Sequence, residues 1–308
     1  MADNHVNIEQ QVRQREQVLD SITNLSPKDR PIMAALGRQD ATSTKVEWVK
    51  ESLAAAVDND KNAHGFAVTF DAADWSARTQ DFNYTQLMKK QASVDLSHES
   101  VEKVGLGRGP KTELNHQKTL KLDELLNNVE KTIVSNNDRI QPLPNTGTAG
   151  QLRGIQKFIV TNTITVGTTK YPEKTLQPVA YDDLAQKSWQ QGGYPEKVFG
   201  GVQIKRAIAG WVTQVNRPVS DGGKKLTAVI NQYESVPGMQ DIILSRYLTN
   251  VLLMLETGRW KLSYLREPKW YDIAQTGDFL GGYYATELTV VALAEESSGK
   301  ITGFSYTA

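Results

Sequence analysis

The chain has 308 residues, 39% of them hydrophobic and 23% charged, which suits one large globular domain or two smaller ones. Lys plus Arg and Asp plus Glu number 35 each, so the formal net charge is zero, which argues against a protein that grips nucleic acid over its whole surface and lowers only slightly the resistance to self-association. The absence of cysteine excludes disulfides, zinc–thiolate sites and thiol nucleophiles; no apolar run approaches the length of a membrane span, and residues 1–13 lack the apolar stretch of a secretory signal.

Residues 8–25 read as a helix, with Val12, Val18, Leu19, Ile22 and Leu25 near helical spacing and Pro27 and Pro31 ending it. Two readings stand side by side: a surface helix of the domain, or an arm whose apolar side finds its partner on a neighbouring subunit. Residues 44–53 look extended, with Val46 and Trp48 on one face. A polar stretch to Gly65 follows, then the alternation Phe66, Val68, Phe70, then a further extended stretch over 84–94. This excursion has too few large apolar residues to build a core, and a two-stranded ribbon alone is marginal in water. It should therefore lie on something else. A DNA-binding ribbon would be richer in Arg and Lys.

Gly105, Gly107 and Gly109 before Pro110 form a hinge, and the strongest helix of the chain follows over 112–136. Leu114, Leu122, Leu125, Leu126, Val129 and Ile133 make one apolar stripe, with most of the charge off it. At 1.5 Å per residue this is a beam of roughly 35 to 40 Å. A coiled coil is poorly supported, because the heptad lasts only about three repeats.

The loop 136–150, rich in Asn, Pro, Thr and Gly, divides the chain. Beyond it, 182–191 reads as a helix closed by Gly192 and Gly193, 197–199 as a strand and 203–215 as a helix. Stretches 226–233, 241–245 and 250–255 are strand-like, as are 260–265, 283–294 and 301–306. Helices and strands are mixed in an α+β pattern.

Near-motifs for chemistry fail on their spacing. Gly105-Leu106-Gly107-Arg108-Gly109 lacks the Gly-Lys-Ser/Thr ending of a phosphate loop and the βαβ setting of a dinucleotide site. His98-Glu99-Ser100-Val101-Glu102 lacks the second histidine of a zinc protease helix. Asp182 and Asp183 sit where a helix is expected to begin, so capping is the simpler reading. The six tryptophans (48, 75, 189, 211, 260 and 270) default to core and interface packing. No catalytic, cofactor-binding or metal-ligating residue is nominated, and the chain is not expected to be an enzyme.

A family resemblance is carried by motifs in collinear order. Trp260-Lys261-Leu262-Ser263-Tyr264-Leu265-Arg266, Ile273-Ala274-Gln275-Thr276-Gly277-Asp278, Glu287-Leu288-Thr289-Val290 and Gly299-Lys300-Ile301 resemble the closing segment of tailed-bacteriophage major capsid proteins. So do 25–31 (LSPKDRP), Val46-Glu47-Trp48 with Ser52-Leu53-Ala54, Asn83-Tyr84-Thr85-Gln86, Trp189-Gln190-Gln191-Gly192-Gly193 and Gln203-Ile204-Lys205-Arg206. Ser263 replaces a usual alanine, Pro268 follows Arg266 by two residues, and 1–19 has no clear counterpart.

The resemblance implies an α+β fold of the Hong Kong 97 type. It implies an N-terminal arm at 1–43, an extended loop (E-loop) at 44–95, and a peripheral domain at 96–177 with its spine helix at 112–136. An axial domain at 178–248 and peripheral C-terminal strands at 249–308 complete it. The implied function is self-assembly into hexamers and pentamers of an icosahedral or prolate head shell that encloses packaged dsDNA with non-specific contact. The implied partners are further copies, a portal, and scaffold or decoration proteins, with no cofactor and no membrane. The expected place is the virion, after assembly in the host cytoplasm. An encapsulin-like compartment is the alternative on the same fold.

Overall fold

The computed structural model describes residues 27–53, 56, 58, 64–65, 78–103, 106, 111–211, 231–235 and 238–306. The expected helix at 8–25, the Phe66–Phe70 alternation, the hinge glycines Gly105, Gly107 and Gly109 and most of the strand expected at 226–233 lie outside these residues.

The chain enters through a short helix α1 (Pro31–Ala35), then strands β1 (Gly37–Asp40), β2 (Lys45–Lys50), β3 (Thr79–Tyr84) and β4 (Gln86–Asp95). Helix α2 (Leu96–Ser100) leads to the long helix α3 (Thr112–Ile133), then α4 (Ile155–Phe158) and β5 (Thr163–Thr165). Helix α5 (Pro178–Gln190), β6 (Lys197–Gly200), α6 (Val202–Trp211), β7 (Gln232–Ser235), β8 (Gly238–Leu244) and β9 (Leu252–Leu255) follow. The chain closes with β10 (Trp260–Asp272), β11 (Phe279–Ala292) and β12 (Gly299–Thr302).

Two sheets organise the body. The first has the order β1-β10-β11-β4, with β1 parallel to β10 and the other neighbours antiparallel. Helix α3 lies on one face of it. Met88 of β4 meets Thr132, Lys90 pairs with Glu124 at 3.6 Å, and Lys118 stands 4.7 Å over the Trp270 ring of β10. Of the stripe read from the sequence, Leu114, Leu125, Val129 and Ile133 are buried and Leu122 and Leu126 half-buried.

The second sheet has the order β5-β12-β9-β6-β8-β7 and carries α5 and α6. It draws on stretches from both sides of the expected boundaries at 177 and 249: β5, β9 and β12 share it with β6, β7 and β8. The reason is visible in β9, the run Leu252-Leu253-Met254-Leu255, in which every side chain is fully buried. Leu252 and Met254 pack into a core with Tyr181, Leu184, Ile204 and Ile301. Leu253 and Leu255 pack into the other core, with Ile133, Phe158, Trp260 and Val290. A strand alternates its side chains between two faces, so a continuous apolar run is what a wall between two cores requires.

A correction concerns the excursion. The stretch 84–94 was expected in the ribbon, yet β4 is an edge strand of the first sheet, paired with β11 from Gln86↔Leu288 to Asp95↔Phe279. Its period-2 pattern has one face under α3 and one exposed, which sequence alone could not tell from a free ribbon strand.

Two helix boundaries also differ. Helix α3 ends at Ile133 rather than 136. Helix α5 starts at Pro178, so Asp182 and Asp183 lie in its second turn and do not cap it. Asp183 instead accepts hydrogen bonds from Lys170 Nζ at 2.6 Å and the Tyr171 hydroxyl at 2.5 Å, which hold its carboxyl below the usual range. The end of α5 keeps its expected glycines: Gly192 is left-handed at φ +84°, and a Cβ on Gly193 would collide with the Ser297 backbone.

Because β9 serves both cores, the two halves should melt together. Leu253→Ala is expected to cost about 2–5 kcal/mol and to lower one calorimetric transition as a whole. Two separate transitions, only one of them shifted, would show that the halves are independent.

Candidate inter-subunit surface

Strands β2 and β3, the root of the ribbon expected from the sequence, pair in register from Lys45↔Tyr84 to Lys50↔Thr79. This root is fastened, not free. Trp48 is 9% exposed and packs 6.0 Å from the Phe158 ring, which in turn meets Trp260 at 6.2 Å. On the opposite strand, Asn83 is fully buried and reads the backbone of the body in both directions. Its Nδ2 donates to the carbonyls of Arg153 at 3.2 Å and Val290 at 2.9 Å, and its Oδ1 accepts from the Arg153 amide at 2.9 Å. Thr85 donates to Glu287 at 2.8 Å, and the Gln86 amide oxygen accepts from Leu152 N at 3.2 Å. The motif Asn83-Tyr84-Thr85-Gln86 thus has a physical job: three of its four side chains tie the ribbon root to the sheet and to the segment before α4.

Electrostatics reinforce the root. The Arg139 guanidinium lies 3.7 Å over the Phe82 ring while donating to Asp81 Oδ1 at 3.0 Å and to the Phe82 carbonyl at 2.5 Å. Lys45 covers the same ring at 4.3 Å.

Beyond the root the surface changes character. Leu53 is 97% exposed and Val49 63% exposed. Between them and the body, at Gln190–Gly192 and Leu293–Ser297, runs an open groove of about 880 Å³. A second open surface is the face of the first sheet turned away from α3. It presents Leu87 at 52% and Ile273 at 50% exposure, and Tyr271 stacked on Tyr283 at 5.5 Å. Its charges are Lys89 and the Arg266–Glu287 pair at 2.9 Å. Two depressions of about 490 and 370 Å³ cross this face and share Leu87, Lys89 and Arg266. Contiguous apolar surface of this kind marks interaction sites in soluble proteins.

The residues weighed for chemistry have structural employment. Glu99, from the zinc-like stretch, is buried and caps α3 from outside the helix. It accepts from Leu114 N at 2.8 Å, from Glu113 N at 3.4 Å and from Lys103 Nζ at 2.8 Å. Burial works against its ionisation, but Lys103 and the two amides outweigh that and keep the carboxyl below its ordinary value. Among the described residues no three His, Asp or Glu side chains form a group that could hold a metal ion, and no helix is long and apolar enough to cross a membrane. Of the tryptophans, 48 and 260 are core, 189 is 52% exposed, 211 packs edge-on to Tyr181 and Tyr233, and 270 sits beneath Lys118. Trp75 lies outside the described residues.

The sequence reading missed the clamp at Asn83 and a buried carboxylate, Glu130. Asn83 was visible as part of a motif, but its partners are backbone groups far along the chain, which no local pattern reveals.

Residues 4–305 match the model of a protein family described as SU10 major capsid protein. No curated protein matches the chain. Solved structures similar to it include the capsid asymmetric unit of cyanophage A-1(L), with TM-score 0.65 at 11% identity over 97% of this chain and 99% of that one. A Microbacterium phage Oxtober96 chain aligns with TM-score 0.64 at 13% identity, covering 94% and 96% respectively. A chain from the phage G structure of major capsid and decoration proteins aligns with TM-score 0.58 at 9% identity, covering 99% of each.

Asn83→Ala is expected to leave buried backbone groups of Arg153 and Val290 without partners, at about 1–3 kcal/mol for each unpaired group. Limited proteolysis should then cut near 78–84 faster than in the wild type. An unchanged cleavage rate there, with unchanged denaturant midpoint, would remove Asn83 from the role of clamp.

Proposed function

Because the chain belongs to the SU10 major capsid protein family and is a phage capsid protein with an α+β, Hong Kong 97-type fold, we propose that it builds the head shell by closing copies of itself into hexamers and pentamers. The observation that carries this reading is the apolar surface that the subunit leaves open on its own: the ribbon root with Leu53 and Val49, and the sheet face with Leu87 and Ile273. An isolated soluble monomer gains nothing from such surface. A subunit surrounded by neighbours covers it, and head-to-tail contacts that close give rings. Several interfaces of ordinary size, each near 1,600 Å² of total buried area, would sum to a stable shell.

Within this reading residues 1–43 are the arm and α3 is the spine. The excursion between β2 and β3 is the extended loop, shorter at its C-terminal end than the span 44–95, because β4 belongs to the sheet. The first sheet with α3 forms the peripheral domain. The second sheet with α5 and α6 forms the axial domain, into which β5, β9 and β12 are woven. The shell encloses dsDNA without gripping it, because a chain of zero net charge offers phosphate only local contacts. A portal, and scaffold or decoration proteins, would complete the head, which assembles in the host cytoplasm and persists in the virion. The match to a phage capsid family favours this reading over a cellular compartment.

The ribbon gives the test. Deleting residues 59–64 shortens the excursion beyond its clamped root, so subunits should still fold, by circular dichroism and thermal melting, while assembled particles lose heat resistance. Mutant particles that withstand heating like the wild type would show that the excursion does not clamp a neighbour.

A further inference from the structure

Helix α3 carries a polar stripe beside its apolar one. Asp123, Asn127 and Glu130 recur one per turn, at i, i+4 and i+7, and residues on that spacing share a face. The stripe holds a single stretch of chain, residues 27–36. Asn127 Nδ2 donates to the Pro27 carbonyl at 3.0 Å, and Lys28 pairs with Asp123 at 3.5 Å. Arg30 donates from Nε to Asn127 Oδ1 at 3.0 Å and from a terminal nitrogen to Asp123 Oδ1 at 2.8 Å and the Asp123 carbonyl at 3.2 Å. At the last position the two Glu130 oxygens accept separately, Oε1 from Ile32 N at 2.9 Å and Oε2 from Met33 N at 2.8 Å. These are the free amides at the start of α1, behind Pro31, which has no N–H to offer.

Two features set this contact apart from ordinary packing. Ile32 and Leu36 of the stretch 27–41 are buried in the core, with Met33 and Ala35 packed against it, and the rest of its attachment to α3 is polar. Glu130, moreover, is fully buried and makes no ion pair among the described residues, while Arg30, whose charge reaches it, is engaged by Asp123 and Asn127. Burial pushes the Glu130 carboxyl above its ordinary value against the pull of both amides and Arg30. A buried carboxylate with that environment is expensive to keep, and here its oxygens are spent on the amides of a five-residue helix.

We propose that residues 27–41 form a strap that docks on and lifts from α3 as a unit while the rest of the subunit stays folded, with Glu130 as its catch. The strap has a defined consequence when it lifts. Strand β1, at its far end, is one of the two edge strands of the first sheet, paired among the described residues with β10 alone, from Gly37↔Lys261 to Asp40↔Tyr264. Lifting the strap bares that edge of β10, a row of backbone donors and acceptors able to accept another strand. The inference concerns the folded subunit itself and holds whether or not copies close into rings.

Hydrogen exchange read by mass spectrometry on the full-length protein tests it. Glu130→Gln keeps the size of the side chain but turns an amide group toward one of the two backbone N–H groups. Exchange over 30–40 is expected to rise about ten- to hundredfold, the equivalent of a charge-assisted hydrogen bond. Exchange over 120–133 and 285–292 should stay at the wild-type rate. Asn127→Ala, which removes only the outer contacts, should shift 30–40 in the same direction by less and serves if Glu130→Gln does not fold. A rise of equal size in all three segments would overturn the proposal, because the strap would then open only when the whole subunit does. No rise over 30–40 in either variant would overturn it equally, by showing that the stripe does not hold the segment.

Discussion

Leu252, Leu253, Met254 and Leu255 are all fully buried, and they alternate between two hydrophobic cores. Everything else in the subunit is arranged around that wall. On one side β9 closes the sheet that carries α5 and α6; on the other its side chains meet the core under the spine helix and β10–β11. Burying four such side chains contributes on the order of 1.5–3 kcal/mol each, and removing any of them opens a cavity next to large, tightly packed partners. The two cores therefore share one wall. To this body are joined the paired strands β2 and β3 and the stretch 27–36 laid along α3.

The appendages share the apolar core of the body through Trp48, Ile32 and Leu36 and add a second chemistry to it. The body is held by apolar burial, which is non-directional. The ribbon root is held by Asn83, Thr85, Gln86 and Arg139, and the strap by Asp123, Asn127 and Glu130, side chains whose bonds have direction and named partners. Directional bonds set the angle at which a segment leaves the surface. Past the clamps the surface becomes apolar and open, as at Leu53 and Leu87.

Much of this was legible in the sequence, and for identifiable reasons. The spine helix showed itself because Leu114, Leu125, Val129 and Ile133 repeat at helical spacing, and these side chains are buried. The order of motifs from the strap to β12 pointed to a capsid subunit because each motif is a short piece of local structure with its own side-chain demands. What stayed hidden was long-range. Strand β4 read as ribbon because an edge strand with one exposed face has the same alternation as a free hairpin strand. The sheet that β9 and β12 join was not legible, because a buried run such as LLML does not say which neighbours bury it. Asp182 and Asp183 read as caps because the helix start was placed four residues late, at 182 instead of Pro178. Glu130 was invisible in its role, since a glutamate on a helix is ordinarily a solvated residue and nothing local marks it as the partner of Ile32 and Met33.

The central claim is that this subunit is complete only among copies of itself. Electron microscopy of the full-length protein, expressed alone and purified without denaturant, tests it most directly. The account predicts five- and six-membered rings or closed shells at micromolar concentration. A preparation that remains monomeric at every concentration reached, while fully folded by calorimetry, would contradict it.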